Sequence, residues 1–579
     1  TPEGVFKFDK QGEPQRISGP IVEVAKTRDV NAGEWGTQLE WLDQDGKLHA
    51  RAFPASRLQE GRNSSFIKQL ASEGLQISPR CSANLLDYLA AFNSGIRLCS
   101  VAQTGWVNGR TNSPNANELV YTLPTEVIAL SPDHNIVFQT DQHCTSRDTL
   151  HGKGTLEQWQ AQVAHFCEDN PVLLFSLAVA FTGPLLSFAG MDCCGFHLYG
   201  KSSQGKTTAL QVAASVWGNG SDPAASPDAY IQRWNATANA LEGLAVSYND
   251  GLLVLDEMAT CDAFDFGKVV YNLSGGQGKA RLSKDSELKR RRSWTMVYLS
   301  SGEISAQQKM GETGKPVKAG QLNRLIDIPV SGKIIENSHG QAPGHFADQL
   351  KRACGNCYGT AAPVFIRKLI GCETDGQALS YRIRTMLAEA EEKLKSPVSL
   401  AADQQRSVRR FALVMVAGQL AVEFGILPFS RADIEAAVKM TCSAWLNNAV
   451  DEDVRGVLAV RDFISRYQDS KFMNACTATS YQPVTHDMAG YYLSDQSIYV
   501  FTDEGFKRAC DGYPPEDVAR ELKRLGLLFT NDGQRLKAKV TLPDLQGRPR
   551  RYAVKKDLLS FELPGVNSGG TGGTPGQGQ

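Results

Sequence analysis

The sequence has no excess of charge of either sign. Its 579 residues contain 61 Lys and Arg against 62 Asp and Glu, so the formal net charge is −1. That balance excludes a protein that binds nucleic acid as a uniformly basic body, so any nucleic-acid site must come from local segregation of charge. Apolar residues make up 42% and charged residues 21%, which excludes a mostly disordered or fibrous chain. At about 150 residues per domain, the length allows roughly four domains.

The 13 cysteines do not form the spaced pairs of a disulfide framework or of a four-ligand zinc site. They are scattered singly, apart from Cys193 with Cys194 and the single CxxC of Cys354 and Cys357, which is a weak zinc signal. The sequence also has no basic-then-apolar signal segment at its beginning. We therefore expect free thiols and a reducing, cytoplasmic location.

One stretch has the length of a membrane span. Residues 170–191 carry no charge and could cross a bilayer. However, Gly183 and Pro184 interrupt the run, and a phosphate-binding loop follows shortly after it. We expect a buried helix followed by a buried strand, and no association with a membrane.

Composition and hydrophobic patterning divide the chain into five parts. Alternating strands around a turn signal at 43–46 mark the N-terminal part as β-rich, with a helix near residues 82–92. A pattern of strand, glycine loop, helix and strand follows, and it predicts a parallel α/β core. The expected parts are a β-rich N-terminal accessory domain at 1–150, a P-loop α/β core at 151–350, a helical region at 351–450, a winged-helix-like α+β unit at 451–563 and a flexible tail at 564–579.

A glycine-rich loop between an apolar strand and a helix matches the P-loop pattern in full. It occupies residues 200–207, Gly-Lys-Ser-Ser-Gln-Gly-Lys-Thr, after an apolar strand at 196–199 and before a helix predicted over 208–217. Such a loop turns backbone N–H groups toward the β-phosphate, and its lysine reaches the β- and γ-phosphates. The residues expected to hold ATP are Gly200, Ser202, Ser203, Gln204, Gly205, Lys206, Thr207 and Thr208.

An apolar run that ends in two acids supplies the second half of a nucleotide site. Residues 252–255 lead into Asp256 and Glu257, and they predict a buried parallel strand. We expect Asp256 and the Thr207 hydroxyl to hold Mg²⁺, and Glu257 to polarise the attacking water. A GTPase normally lacks the second acid and carries a guanine-specificity motif, which we do not find here. The expected substrate is therefore ATP with Mg²⁺.

Two further strands offer groups that could act on the γ-phosphate. A strand predicted at 294–299 ends in Ser300 and Ser301, and one of them could serve as a sensor, although an ordinary polar strand exit is the alternative. Arg324 precedes another apolar strand, where ring ATPases project an arginine into the neighbouring site. Its alternatives are a surface ion pair with Asp327 and a role taken by Arg409 and Arg410. The expected catalytic set is Lys206, Glu257, Arg324 and Ser301.

Positive charge is concentrated between the acidic strand and the sensor strand. Residues 279–292 contain seven basic and two acidic side chains, a local charge of +5. The pattern predicts a hairpin that points toward the pore of a ring and contacts a nucleic-acid backbone, and a solvated loop is the alternative. The residues expected to contact nucleic acid in this hairpin are Lys279, Arg281, Lys284 and Lys289.

The C-terminal unit has the element order of a winged helix. Two helices are predicted over 502–510 and 515–525, and two basic strands follow at 535–542 and 551–556. A basic wing over duplex DNA is the expected role, with protein contact as the alternative. Its expected DNA contacts are Arg548, Arg550 and Arg551.

These stretches resemble a known family, the helicase-like ATPases of bacterial mobile elements catalogued as domain of unknown function 927. The matching stretches are 233–242, 250–257, 271–281, 299–303 and the strand that follows Arg324. Relatives are similar in layout to MCM and superfamily-three helicases. A serine at the sensor position departs from the Asn or Thr usual in AAA+ proteins, and the sequence contains no recognisable primase module.

The resemblance implies an AAA+-like core, a helical lid, a hexamer, Mg²⁺-ATP and movement along DNA, beside a separately encoded primase. Together with the residues, it predicts an ATP-dependent DNA helicase or translocase, the hexameric replicative motor of a mobile genetic element. Single-stranded DNA would pass through a central pore. The alternatives are an ATP-switched DNA-binding initiator or regulator that does not unwind DNA, and an AAA+ remodeller of proteins.

Overall fold

The computed structural model describes most of the chain. The described residues are 1–59, 64–107, 118–131, 134–140, 149–261, 263–281, 291–312, 319–373, 375–395, 402–448, 452–474, 487–531, 535–542 and 547–561. The chain divides into two compact units. The larger contains residues 1–310 and 320–442, and the smaller contains residues 311–319 and 443–579.

The larger unit begins with a β-rich region, as the alternating pattern predicts. Its strands are β1 Val5–Phe8, β2 Pro14–Ser18, β3 Ile21–Arg28, β4 Gly36–Leu42, β5 Leu48–Pro54, β6 Arg97–Val101, β7 Gly105–Trp106, β8 Val120–Thr122, β9 Val127–Ala129 and β10 Ile136–Phe138. A five-stranded sheet has the order β10-β6-β3-β4-β5. Strands β1 and β2 form a two-stranded sheet, and β7, β8 and β9 form a three-stranded sheet. Helices Ser65–Ser72 and Ser82–Ala91 lie between β5 and β6.

The predicted hairpin is present in this sheet. β4 and β5 pair antiparallel, with Leu42 opposite Leu48. One carboxylate oxygen of Asp43 accepts from the backbone N–H groups of Asp45 and Lys47, which fixes the turn between the strands. The predicted helix near residue 82 is also confirmed, whereas helix Ser65–Ser72 was not predicted.

The three-stranded sheet β7-β8-β9 packs against the part of the chain that carries the P-loop. The backbone N–H of Trp106 donates to Asp250 Oδ2 at 3.0 Å, and its indole N–H donates to the backbone oxygen of Pro184 at 2.8 Å. The Tyr121 hydroxyl donates to the backbone oxygen of Asp250 at 3.0 Å. These bonds join the N-terminal region to the central core inside one compact unit.

The central core is a sheet of five parallel strands, which confirms the predicted parallel α/β core. The strands are β11 Cys194–Tyr199, β12 Gln232–Arg233, β13 Leu252–Asp256, β14 Val297–Gly302 and β15 Leu325–Pro329. Their order is β12-β13-β14-β11-β15. β14 therefore lies between the P-loop strand and the acidic strand, although it follows both in the sequence. It begins at Val297 rather than at the predicted residue 294, because Trp294 pairs with Gly276 instead.

Helices surround this sheet. Those between residues 150 and 330 are Leu156–Trp159, Pro171–Ala180, Leu186–Ala189, Lys206–Ser215 (the P-loop helix), Ala238–Ser247, Ala263–Ser274, Ala306–Gly311 and Ala319–Leu322. The following region is helical, as predicted, with helices Pro343–Asn356, Ala361–Cys372, Gly376–Lys393, Ala402–Glu423 and Arg431–Asn448.

The uncharged stretch at 170–191 differs in part from its prediction. It contains helix Pro171–Ala180, a bend and the short helix Leu186–Ala189, and strand β11 begins only at Cys194. Helix Pro171–Ala180 is apolar on all sides because it packs against both the P-loop helix and helix Ala402–Glu423. Within the described ranges, no single helix has the length and apolar composition of a membrane span. Helices Pro171–Ala180 and Gly183–Ala189 reach that length and composition only when they are counted together, and the chain bends by 49° between them.

The smaller unit is an α+β structure. Its elements are helix Glu452–Tyr467, β16 Phe472–Asn474, β17 Gly490–Leu493, β18 Ile498–Phe501, helices Asp503–Ala509 and Pro515–Arg524, β19 Ala538–Lys539, β20 Arg550–Arg551 and β21 Ala553–Lys555. The main sheet has the order β16-β17-β18-β21, and β19 pairs with β20. The two predicted helices and the later β-segments are present. Strands β16, β17 and β18 were not predicted.

Candidate nucleotide site and cationic cleft

The P-loop joins β11 to the P-loop helix at the carboxyl edge of the parallel sheet. Gly200 and Gly205 have φ values of +153° and +98°, which side-chain-bearing residues rarely adopt. A Cβ on Gly200 would also lie 2.6 Å from the backbone oxygen of Val330. The loop therefore requires glycine at these positions. Its backbone leads directly into the helix N-terminus, whose free N–H groups favour an anion.

The Lys206 side chain is buried against the loop that it belongs to. Its Nζ donates to the backbone oxygens of Gly200 at 2.8 Å and Lys201 at 2.6 Å. Burial lowers the pKa of Lys206, and the carboxylates of Glu303 and Asp256 oppose that shift. Phosphate oxygens are stronger acceptors for an ammonium group than loop carbonyls are. The site therefore fits a nucleotide phosphate beside Lys206, with Glu303 as a nearby carboxylate that the sequence did not identify.

Strands β13 and β14 bring an acid and a serine into contact at the same edge. Ser301 Oγ donates to Asp256 Oδ1, and the backbone N–H of Glu257 donates to that oxygen at 2.9 Å. The P-loop helix, which carries Thr207 in its first turn, packs against β13. Carboxylate and hydroxyl oxygens are the hard ligands that Mg²⁺ takes, together with waters and nucleotide phosphates. Asp256 and Thr207 fit that metal.

The structure separates the two serines that the sequence left as alternatives. Ser300 is buried, accepts from the Trp234 indole N–H at 2.8 Å and lies 2.9 Å from His197 Nδ1. The other ring nitrogen of His197 faces the backbone oxygen of Ile304 at 3.0 Å, so it carries the proton and Nδ1 accepts from Ser300. Burial lowers the pKa of His197 to about 4, in keeping with a neutral ring. Ser300 belongs to the core, and Ser301 faces the candidate site.

Glu257 leaves the end of β13 in an unusual backbone conformation. Its φ is +57°, in the left-handed region that residues other than glycine rarely enter. The side chain is 52% exposed, and one of its carboxylate oxygens lies 3.9 Å from Arg233 NH1. Arg233 stands opposite Asp256 in the pairing of β12 with β13. The sequence pattern around Arg233 gave no sign of this contact, because it depends on the sheet register.

Arg324 lies at the opposite, amino edge of the sheet. Its backbone oxygen accepts from the N–H of Gly195 at 2.9 Å, and Gly195 is separated from Gly200 by about 16 Å of strand. Its guanidinium carbon lies 4.3 Å from the centroid of the Tyr271 ring. The alternative ion pair with Asp327 is not formed, because that carboxylate accepts from the backbone at the start of helix Ala306–Gly311. Its NH1 donates to the backbone oxygen of Gly320 at 2.6 Å, so the Arg324 side chain is held at the amino edge, apart from the P-loop of its own chain.

A cleft of about 700 Å³ opens beside Arg324. Its lining includes one carboxylate, Asp192, and five basic side chains: Lys279, Arg291, Arg324, Arg406 and Arg410. Arg410 NH1 is buried without a hydrogen-bond partner among the described residues. By contrast, Arg409 lies 3.3 Å from Glu391. Of the adjacent arginines, the structure thus brings only Arg410 into this cationic cleft, which fits an anion.

The described ends of the basic segment have the geometry of a hairpin base. Gln277 and Ser293 form an antiparallel bridge, and the backbone N–H of Gly278 donates to the oxygen of Arg292 at 2.8 Å. Arg281 donates to Glu242 at 2.6 Å and also to Asn239. Lys279 is exposed at the cationic cleft. The predicted contacts Lys284 and Lys289 lie outside the described residues.

The basic residues of the C-terminal unit differ in how much of their charge is balanced. Arg551 and Lys537 both donate to the Asp503 carboxylate, at 3.1 Å and 2.8 Å. Arg548 is exposed, and Arg550 is half-buried opposite Lys539 in the β19–β20 pair. The positive surface of this unit is therefore carried more by Arg548 than by Arg551.

The CxxC cysteines are packed in the core. Cys354 and Cys357 are both buried, and burial raises the pKa of Cys354 to about 12. The Cys357 thiol donates to the Gln162 side chain at 3.4 Å. Across the parts of the chain that the structure describes, no group of three or more His, Cys, Asp or Glu side chains is arranged to hold a metal ion.

Five parallel strands, a P-loop and two acids at one sheet edge define an α/β protein with a P-loop core. Residues 3–293 match the family described as "Domain of unknown function (DUF927)". Because the match spans half of the chain, the protein belongs to this family. The match contains the N-terminal region, the P-loop and the acidic strand, and it ends before β14 and Arg324. No curated protein matches the sequence.

Among solved structures, the chain is similar to the one described as "SCCmec type IV Cch - active helicase", with a TM-score of 0.69 and 16% identity. That similarity covers 97% of this chain and 98% of the other, so the two share a fold over their whole length. The apo C-terminal region of NrS-1 matches with a TM-score of 0.22, 10% identity and coverage of 67% and 88%. NtrX from Brucella abortus in complex with ADP matches with a TM-score of 0.19, 12% identity and coverage of 46% and 67%. Scores this low establish no common fold.

Proposed function

We propose that the protein is an ATP-dependent DNA helicase or translocase that works as a hexameric AAA+ ring, the replicative motor of a mobile genetic element. One observation carries the proposal. Phosphate-binding and acidic groups meet at the carboxyl edge of the sheet, whereas Arg324 lies in a cationic cleft at the amino edge. A phosphoryl-transfer site with an arginine is then complete only between two copies of the chain.

At the carboxyl edge, each side chain would have a separate task. Lys206 would exchange its two carbonyl partners for phosphate oxygens, and Asp256 with Thr207 would hold Mg²⁺. The metal and nucleotide would supply the reactive phosphoanhydride and neutralise its charge. Glu257, in reach of Arg233, would orient the attacking water. Ser301 would report on the γ-phosphate through its hydrogen bond to Asp256.

At the amino edge, Arg324 of one copy would face the P-loop of the next copy. Arginines that reach a transferring phosphoryl group stabilise the charge that develops on it. Arg410 NH1 in the same cleft supports this role, since it is buried without a hydrogen-bond partner among the described residues, and a buried polar nitrogen without a partner is unfavourable. Arg406 is a third candidate at the same interface.

The basic hairpin would couple hydrolysis to DNA. Its base bonds to the segment that enters β14, and the other end of β14 carries Ser301. Lys279, Arg281, Lys284 and Lys289 would contact one strand of DNA in the ring pore, and Arg548, Arg550 and Arg551 would contact duplex DNA from a winged helix. The fold shared with a helicase over the whole chain supports unwinding as the outcome.

A forked-DNA unwinding assay tests the proposal, with wild type, Lys206→Ala and Glu257→Gln, beside native mass measurement with and without ATP. We expect unwinding by wild type only, and a hexamer in ATP. ATP-dependent DNA binding without strand displacement would instead identify a switched initiator or regulator. ATPase activity that DNA does not stimulate would favour a protein remodeller.

Mixing two inactive variants tests whether the site is shared between copies. Lys206→Ala removes one half of the interface and Arg324→Ala removes the other. In an equimolar mixed ring, about a quarter of the interfaces regain both halves, since half of the P-loops are intact and half of their neighbours supply the arginine. ATPase activity should recover accordingly. An active monomer, or no recovery in verified mixed rings, would contradict the shared site.

A further inference from the structure

An exposed tryptophan with two arginines beside it lies on the N-terminal five-stranded sheet. The Trp35 side chain is 45% exposed, and neighbouring Ile96 is 52% exposed. The guanidinium carbons of Arg28 and Arg97 lie over the indole ring, 5.8 Å and 6.0 Å from its centroid, so that a ligand would stack on the part of the ring that they leave exposed. None of these residues belongs to the nucleotide site, the cationic cleft or the basic hairpin. We refer to Arg28, Trp35, Ile96 and Arg97 as the indole patch.

The backbone that carries Trp35 is firmly held. The Trp35 carbonyl accepts from the N–H of Ala55 at 2.8 Å, and the preceding carbonyl of Glu34 accepts from the Gln139 side chain at 3.1 Å. A Cβ on Gly36 would lie 2.3 Å from that Gln139 side chain, so the chain passes through a tight space. The ring is thus presented to solvent at a fixed place.

The two arginines of the patch have spare hydrogen-bond donors. Arg28 ends β3, Arg97 begins β6, and these strands run parallel and adjacent. Within the described ranges, neither guanidinium has a carboxylate at salt-bridge distance. Arg97 NH1 donates to the side chain of Asn93 and to the carbonyl of Ile96. The nearby Asp29 carboxylate instead accepts from backbone N–H groups of its own turn. The two guanidinium groups of the patch therefore keep donors free for a ligand, beside an aromatic ring and with the Asp29 carboxylate held by its own turn.

We propose that the indole patch is a binding site for single-stranded nucleic acid. A base would stack on the Trp35 ring, and Arg28 and Arg97 would contact the flanking phosphates. Aromatic faces bordered by cations bind single strands with little sequence preference, because every base has a π-face and every nucleotide has a phosphate. A nucleic acid fits better than a protein surface since it satisfies the charge and the ring together. The site goes beyond the proposed motor, because it requires neither ATP nor a pore.

Photo-crosslinking locates the contact. The full chain, without nucleotide, is irradiated with oligothymidine that contains 5-iododeoxyuridine, and crosslinked peptides are mapped. We expect a crosslink in the peptide that contains Trp35, and we expect Lys206→Ala to keep it while losing unwinding. This result would show that the indole patch binds nucleic acid independently of the proposed motor, because Lys206→Ala would abolish unwinding and keep the crosslink.

Affinity for fluorescent oligothymidine measures the contribution of each group. Trp35→Ala should weaken binding at least about fivefold, and Trp35→Phe should restore most of it because an aromatic face returns. Replacing Arg28 and Arg97 with Ala should lower the slope of log affinity against log salt by about 0.7 for each lost phosphate contact. Matched controls are Phe8→Ala, an aromatic that is 73% exposed in the same region, and Arg80→Ala. Trp35→Ala binding as tightly as Phe8→Ala, with crosslinks only elsewhere, would overturn the proposal and leave the patch to a protein partner.

Discussion

The two edges of the parallel sheet differ in how their charges are balanced. At the carboxyl edge, Lys206 bonds to its own loop, Ser301 bonds to Asp256, and Glu257 lies near Arg233. At the amino edge, five basic side chains share a cleft with a single carboxylate. Among the described residues, the side chains of the first edge pair with one another or with the backbone. In the cleft at the second edge, basic side chains outnumber carboxylates, and Arg324 NH1 donates to the backbone oxygen of Gly320 at 2.6 Å.

That difference has an energetic basis. Burying a guanidinium nitrogen without a hydrogen-bond partner is unfavourable. Arg410 NH1 is such a nitrogen among the described residues. The Lys206 ammonium group, in contrast, is satisfied by the backbone oxygens of Gly200 and Lys201. Comparison of the edges therefore predicts that variants at either edge abolish one shared activity.

The largest expected effect comes from the amino edge. Arg324→Ala should lower ATP turnover about 10³-fold or more while nucleotide binding by the same chain persists, because the proposal places the arginine at the site of the next copy. Steady-state ATPase assays and nucleotide-binding titrations check this. Arg409→Ala is the matched control, since Arg409 pairs with Glu391 outside the cleft. Equal loss in both variants would mean that the two edges do not form one site.

The next effect comes from the carboxyl edge. Glu257→Gln should lower ATP turnover about 10²- to 10⁴-fold, because an amide cannot take a proton from the attacking water. Single-turnover assays with bound ATP measure the chemical step directly. Asp222→Asn serves as the control, because Asp222 lies 4.0 Å from the same Arg233 but is not placed to orient water. Undiminished hydrolysis in Glu257→Gln would show that a group other than Glu257 orients the attacking water.

Ser300 and Ser301 are neighbours in β14, and their variants should have different effects. Ser301→Ala should lower turnover about tenfold with little change in stability, because it removes the hydrogen bond to Asp256. Ser300→Ala should instead reduce the free energy of unfolding by about 1–3 kcal/mol, because it leaves buried Trp234 and His197 groups without their partner. ATPase assays and chemical denaturation measure the two effects. The reverse pattern would show that the sensor is Ser300.

The smallest expected effect concerns pH. The unfolded chain protonates His197 below its ordinary pKa of 6.5, whereas the folded protein does so only near pH 4. Stability should therefore fall as the pH falls through this window, by up to about 3 kcal/mol at pH 4. Denaturation midpoints of wild type and His197→Gln between pH 7 and pH 4 test this, with the exposed His165→Gln as control. An unchanged pH dependence in His197→Gln would show that another group causes it.

Short stretches of sequence were sufficient to predict the position of the glycine loop, the strand before it and the two acids. The glycine loop, the strand before it and the acids Asp256 and Glu257 each depend on a few consecutive residues, and all fall where expected. The choice between Ser300 and Ser301 could not be made in this way. Alternation puts neighbours on opposite faces of a strand, but only the pairing with β11 and β13 decides which face meets the nucleotide site.

The groups that the sequence did not identify come together from distant positions. Arg233 reaches Glu257 through the β12–β13 register, and Arg410 reaches the cationic cleft from a helix about 86 residues beyond Arg324 in the chain. The strands β16 to β18 were missed for a different reason. Each has three or four residues, too few for a periodic pattern to stand out from an apolar loop.

The hydrogen bonds from Trp106 and Tyr121 to Asp250 limit where the chain can be truncated. Asp250 is 6% exposed and lies just before the strand that ends in the acids. A fragment that starts at residue 150 would lose the bonds that Trp106 and Tyr121 donate to Asp250, and it would uncover aromatic faces of Phe188 and Trp217, against which Trp106 and Tyr121 pack. The core that carries the P-loop thus shares part of its buried interior with the N-terminal region. Truncation at this point would expose apolar surface of the core and lower its stability.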